Sequence, residues 1–220
     1  VNVMSSKRIE LGITEYPLYG HRELDRLELQ WRHRDYEERI DLSLDTSATL
    51  YDAGHILGSS GVMIDNGETR VFYTGDVNFE DSTLITGAKF PVDDIDTLII
   101  ETTRGSKERE ADYNREQEEQ KLCDALLKTI NQGGAALIPV FAMGKTQEVL
   151  TMIHKFKESG RLPEKTPVFI GGLSTKMTLL FDEFADSTPR QLPGFKIFED
   201  MDVRAASKKG SRKPIVYQRG

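Results

Sequence analysis

His55 and Asp76 are the residues of this 220-residue chain whose types and settings are best suited to chemistry. His55 lies in Tyr51-Asp-Ala-Gly-His-Ile-Leu-Gly-Ser-Ser-Gly61, and Asp76 closes Tyr73-Thr-Gly-Asp76, each just past a short apolar run. Glycines at both places permit turns and let backbone and side chains crowd around one point. An imidazole and a carboxylate held on rigid strand ends make half of a metal site. Taken singly, the histidine is more often structural than a ligand, and for the aspartate a turn or cap role would win. Taken together at this spacing, ligation is the stronger reading for both. A carboxylate that bridges two cations suits a site that generates hydroxide and steadies a phosphoryl transition state. The remaining ligands have no candidate, because no other His/Asp/Cys cluster occurs in the chain.

Three further residues join the candidate site. Glu101 ends the apolar run Asp96-Thr-Leu-Ile-Ile-Glu101, where a carboxylate is costly unless paired or hydrogen-bonded. Its expected task is to accept the N–H of a ligating histidine and fix the tautomer; the plainer reading is a strand-end carboxylate in water. Lys145 follows Gly144 at a helix start, and with that helix N-terminus it could hold a phosphate or tie two lobes together. The spacing is not that of a P-loop. Ser59, in the tight loop after His55, is a candidate for substrate contact. His21, His33 and His154 have no ligand-like setting, and His154 reads as a surface residue within a helix.

The elements that must position these groups follow from periodicity and turn chemistry. Ala48–Ala53, Val62–Asp65 and Arg70–Tyr73 read as short strands, the last two joined by the hairpin cue Asn66-Gly67. Asp96–Glu101 reads as a strand buried on both faces. The charged stretch 23–40 alternates in places and favours extended or mixed structure over an amphipathic helix. Beyond Gly105 the pattern changes to helix over 107–132, strand over 135–140, helix over 145–156, strand over 167–170 and helix over 175–185. Glycine pairs punctuate these units. Repeated strand–glycine–helix units indicate an α/β (α+β) chain, with a mixed sheet in 1–106 and a mostly parallel α/β unit in 107–220. Pro214-Ile-Val-Tyr217 reads as an opening strand, so the chain looks like a piece of a longer one.

Composition sets the outer limits. With 38% hydrophobic and 30% charged residues the chain fits a globular protein, and no run is apolar and long enough to span a membrane. Val1–Glu10 lacks a signal-peptide core. A single cysteine, Cys123, excludes an internal disulfide and fits a reducing, cytoplasmic compartment; its helical setting predicts a buried thiol. A net charge of −7 argues weakly against a general nucleic-acid-coating surface, while leaving room for a local basic groove. Residues 204–220 hold six basic residues and no acidic one, either a solvated loop or one facing nucleic acid.

Four segments, in order, resemble the β-CASP group of the metallo-β-lactamase superfamily. Asp52-Ala-Gly-His-Ile-Leu-Gly-Ser59 is similar to its third metal motif and Tyr73-Thr-Gly-Asp76 to its fourth. Leu98-Ile-Ile-Glu-Thr-Thr-Arg-Gly105 resembles the acidic motif that closes the lactamase part. Ile138-Pro-Val-Phe-Ala-Met-Gly-Lys-Thr-Gln-Glu148 resembles the Pro-x-Phe-Ala-x-Gly-Arg-x-Gln-Glu segment of the inserted lobe. The resemblance covers residues 48–185 well. It implies part of an αββα sandwich with an inserted β-CASP α/β lobe, and zinc-dependent hydrolysis of RNA phosphodiesters. Two zinc ions are implied in the intact protein, with His55 and Asp76 as ligands and Glu101 in support.

The same resemblance implies an RNA partner and allows a homo-oligomer or a processing-complex partner. This sequence departs from the pattern in three ways. The His-x-His-x-Asp-His cluster is missing, and Gly20-His21-Arg does not replace it. The later histidine motifs would fall beyond Gly220, and Arg104 and Lys145 stand where tyrosine and arginine are common. A fragment would look this way, and it would neither hold two zincs tightly nor catalyse. A catalytically silent scaffold subunit and a DNA-directed nuclease are the alternatives.

Overall fold

The computed structural model describes residues 19–91 and 94–205. The chain divides into two compact units, residues 1–38 and 39–220.

In the first unit the described residues contain helix α1, His21–Glu28, where extended or mixed structure was expected. Glu23 explains the difference: its carboxylate accepts the Gly20 N–H at 2.8 Å, satisfying a donor that a helix start leaves open. None of the α1 residues is buried.

The second unit is a mixed α/β body. Its sheet runs β1-β2-β3-β4-β5, formed by Arg39–Asp41, Ser47–Asp52, Ser60–Asp65, Arg70–Tyr73 and Thr97–Ile99. The first four strands form an antiparallel meander, and β5 joins β4 in parallel. The Asn66-Gly67 turn forms as expected, with Gly67 at φ 85°. On the buried face Phe72 packs edge-on against Phe90 and Tyr51, with centroids 4.8 and 5.9 Å away. A Cβ at Gly61 would lie 2.7 Å from the Phe72 ring, so that position must be glycine for β3 to pass over the cluster. The strand β5 departs from expectation. Leu98 and Ile99 are half-exposed (54% and 50%), because β5 is an edge strand with no layer packed over it among the described residues.

Helices follow: α2 Arg115–Asn131, α3 Lys145–Glu158, α4 Leu173–Glu183 and the short α5 Ile197–Asp200. Asn114 caps α2 by accepting the Gln117 N–H at 3.0 Å, which starts the helix later than periodicity suggested. Strands β6, Val168–Ile170, and β7, Val203–Ala205, pair in parallel. The expected strand over 135–140 does not form. Pro139 lacks the N–H a ladder needs, and Leu137 stays 84% exposed. Pro214–Tyr217 lies outside the described residues.

The helical core gathers Cys123, Leu126, Leu150, Ile153, Phe156, Leu162, Phe181 and Ile197. Cys123 is a buried free thiol, as its position predicted. Each fully buried Phe or Leu contributes about 1.5–3 kcal/mol. His154, expected at the surface, is half-buried: its ring packs 4.6 Å from that of Phe195. Leu84 reaches this core from the sheet side and is 1% exposed. Among the described residues no helix is long and apolar enough to cross a membrane.

Candidate active site

Two loops at one end of the sheet carry the candidate ligands, and glycine lets them touch. The loop after β2 holds His55, and the segment after β4 holds Asp76. Gly54 has φ 61°, and a Cβ there would lie 2.6 Å from the Asn78 carbonyl oxygen. Gly75 has φ 59°, and its Cβ would lie 2.8 Å from the Ser60 carbonyl. Side chains are excluded at both positions by conformation and by space. Backbone hydrogen bonds then lock the loops, from Asn78 N to Ala53 O at 2.9 Å and from Lys89 N to Asp52 O at 3.0 Å. Asp52 accepts the Gly54 N–H at 2.8 Å, while its burial pushes its carboxyl above the usual range.

Ser59 shapes the same loop. Its hydroxyl oxygen accepts the N–H groups of His55 and Ile56 at 3.1 and 3.2 Å. That gives Ser59 a loop-pinning role alongside the substrate contact expected of it.

Glu101 arrives from the end of β5. Its carboxylate accepts the Val77 N–H at 2.7 Å and the Thr103 N–H at 3.3 Å. The Thr103 side chain, the Val77 N–H and the nearby His55 imidazole hold its carboxyl below the ordinary value. Glu101 is thus anchored to the backbone of Val77, the neighbour of Asp76, and lies within electrostatic reach of His55. The His55 and Asp76 side chains are exposed at this rim.

The fourth expected element meets the same loop. Gly144, at φ 79°, has no room for a Cβ because Ile56 Cγ2 abuts it, which places the first turn of α3 and Lys145 beside the neighbour of His55. Buried Gln147 fixes the turn: its amide oxygen accepts the Gly144 N–H at 2.7 Å, and its Nε2 donates to Ala142 O at 3.1 Å and Thr178 Oγ1 at 2.9 Å. An exposed lysine at a helix N-terminus attracts anions.

The structure thus brings the loops of His55, Ser59, Asp76, Glu101 and Lys145 to one rim. It does not complete a metal site. Among the described residues no group of three or more His, Cys, Asp or Glu side chains is arranged to hold a metal ion. One imidazole and one carboxylate have the right donor chemistry for zinc, yet they are half of the roughly four donors zinc takes.

The motif ending in Glu148 was recognised without a role for that residue. The structure gives it one: the carboxylate accepts the N–H groups of Thr83 and Leu84 at 2.7 and 3.0 Å and pairs with Arg115. Burial pushes its carboxyl up, but these partners outweigh burial and hold it below 4.5, its ordinary value.

Comparison with known proteins places the chain among archaeal relatives. The transcription termination factor FttA of Methanothermobacter thermautotrophicus is 37% identical over 141 residues, 63% of this chain and 22% of that protein. An RNase J-like protein of Methanocaldococcus jannaschii is 36% identical over 146 residues, 66% of this chain and 34% of its own length. FttA of Pyrococcus horikoshii is 33% identical over 180 residues, 80% of this chain and 27% of the relative. The chain therefore spans between about a fifth and a third of the length of these relatives. No family model matches it.

Proposed function

The chain is related to the β-CASP group of the metallo-β-lactamase superfamily, and on that premise we propose that the intact protein is a metal-dependent ribonuclease. Its reaction is hydrolysis of RNA phosphodiester bonds in RNA processing or decay. The observation that carries this reading is the convergence of the His55, Asp76 and Glu101 loops on one sheet rim, with the first turn of α3 against it. The names of the relatives, a transcription termination factor and an RNase J-like protein, point to the same substrate.

In this reading His55 and Asp76 supply a nitrogen and an oxygen donor, and two zinc ions are proposed for the intact protein. The described residues do not by themselves form a zinc site, so the remaining donors must come from elsewhere in the intact protein. Glu101, ionised and anchored to the Val77 N–H, holds the Asp76 loop and places negative charge beside an imidazole. Lys145 and the N-terminal turn of α3 attract the RNA strand and hold a phosphate that flanks the one being cut.

The test uses the intact protein. Zinc content and cleavage of matched RNA and DNA oligonucleotides are measured before and after His55→Ala. Loss of bound zinc together with loss of RNA cleavage supports the reading. Retention of both would sink it, binding of RNA without cutting would make the chain part of a silent scaffold, and preferential DNA cleavage would move the activity to DNA.

A further inference from the structure

Downstream of Asp76 the chain crosses from the sheet rim into the helical core at Thr83 and Leu84. The Leu84 side chain is buried with Leu150, Phe181 and Ile197. Its backbone is held on both sides: its N–H donates to Glu148 at 3.0 Å, and its carbonyl accepts the Gln191 N–H at 2.9 Å. The Thr83 N–H donates to the other Glu148 oxygen at 2.7 Å. Arg115 of α2 closes the arrangement, donating to the same carboxylate, to Thr83 Oγ1 at 3.0 Å and to Glu119 at 2.7 Å. Glu148 lies one turn into α3, the helix whose first residues abut Ile56. One helix thus grips both the strand of chain that leaves Asp76 and the loop that carries His55.

We propose that Glu148 is a positioning residue for the ribonuclease reaction. Its carboxylate fixes where the first turn of α3, with Lys145, stands relative to His55 and Asp76, and so where an RNA phosphate is held. This inference rests on the ribonuclease reading of the rim. The choice of residue supports it. Burial of an ion pair is weak evidence for stability, since apolar replacements often serve as well. A carboxylate that accepts two backbone N–H groups and a guanidinium instead enforces direction. A misplacement of about 1 Å remote from the reacting atoms can cost on the order of a hundredfold in rate.

The experiment compares wild type with Glu148→Gln in the intact protein. The amide keeps the shape but turns a donor toward groups that are themselves donors. Cleavage of an RNA oligonucleotide is measured beside hydrolysis of bis(p-nitrophenyl) phosphate, a diester too small to reach α3. Hydrogen exchange is followed at amides 54–57 and 145–148. The expected result is a fall in kcat/KM on RNA of roughly tenfold or more, small-diester hydrolysis within about twofold of wild type, and exchange that rises in both segments together. Equal losses on the two substrates, or unchanged exchange in both segments, would overturn the proposal. Glu148→Asp, which keeps the charge and shortens the reach, gives the same comparison if the amide variant does not fold. A wild-type protein that cuts no RNA would sink the ribonuclease reading alone; positioning would then be decided by the exchange data, a joint rise supporting it and no change rejecting it.

Discussion

The two ends of the five-stranded sheet use the same residue types in opposite ways. At the hairpin end the charges gather around Arg70 and pair with it. Arg70 donates to Asp65 at 2.9 Å and to Asp94 at 3.2 Å, and its N–H donates to Asp96 at 2.7 Å. The Gly67 N–H and Arg70 together hold the Asp65 carboxyl below its usual range. At the other end the backbone is locked by glycine crowding and cross-loop hydrogen bonds, yet the acid and the imidazole at its tip are left open. Among the described residues the Asp76 carboxylate and the His55 ring have no hydrogen-bond or ion-pair partner. An end whose charges cancel stabilises the turn. An end whose backbone is fixed and whose side chains are free is built to meet something else.

The sharpest way to break this comparison is to remove one acid from each end. Asp76→Asn in the intact protein is expected to lower RNA cleavage roughly a thousandfold, about 4 kcal/mol of transition-state stabilisation. The melting temperature of the metal-free protein should stay close to wild type, because the side chain is exposed and has no protein partner among the described residues. Asp65→Asn should leave cleavage unchanged. Equal effects on cleavage would erase the distinction between the ends.

Much of this contrast was legible in the sequence, and apart from α1 and the start of α2, which local caps decide, the illegible parts share a cause. Local signals carried well: Asn66-Gly67 marked the hairpin, the glycines around His55 and Asp76 marked crowded loops, and the setting of Cys123 marked a buried thiol. Wherever a partner lay far along the chain, the reading failed. Residues 135–140 have strand composition, but a strand exists only when a neighbour pairs with it. The apolar run of β5 has the composition of a doubly covered strand, and its exposure depends on what packs against the sheet edge. Glu148 binds Thr83, 65 positions away, and helical spacing within α3 could not reveal that. The half-burial of His154 has the same cause, since Phe195 lies far along the chain.

A pair of glycines sharpens the comparison at the level of stability. Gly54 at the rim and Gly67 at the hairpin both have positive φ. A Cβ at Gly67 meets nothing within 4 Å, whereas one at Gly54 meets three backbone atoms on two segments, at Asn78 and at Gly87–Ala88. Gly67→Ala should therefore cost only the left-handed strain, about 1–2 kcal/mol. Gly54→Ala should cost about 3–4 kcal/mol once overpacking is added, measured by denaturant unfolding. Similar losses would mean that the rim relaxes around a side chain and is less rigid than its contacts indicate.

Acid separates the fixed support of the rim from its open tip. Glu148 has a folded-state carboxyl held below its ordinary 4.5 by Thr83, Leu84 and Arg115. In that case the unfolded chain binds the proton first as pH falls. The stabilisation is complete above the unfolded value and disappears as pH drops through the lower folded one. Glu148→Gln should flatten the acid limb of stability between pH 5 and the onset of acid unfolding, read from urea midpoints at stepped pH. An unchanged acid limb would remove Glu148 as the group that couples α3 to the strap after Asp76.

The smallest effect is expected at the hairpin end. Arg70→Met keeps the length of the side chain and removes its charge. The pairs it breaks are partly solvent-exposed, with the Arg70 side chain 43% accessible, and exposed ion pairs contribute little and are screened by salt. Melting temperature should fall slightly at low ionic strength, with the difference shrinking as salt is added, while RNA cleavage by the intact protein stays at the wild-type level. Asp94, held at φ 59° beside Arg70, gives the variant a second handle. Exchange of the amides at 94–96 should quicken while those at 53–57 do not, since no hydrogen bond among the described residues runs from Arg70 to the rim. A cleavage defect in Arg70→Met would show that the hairpin end sets the geometry of the rim through β3 and β4, and that the sheet acts as one body.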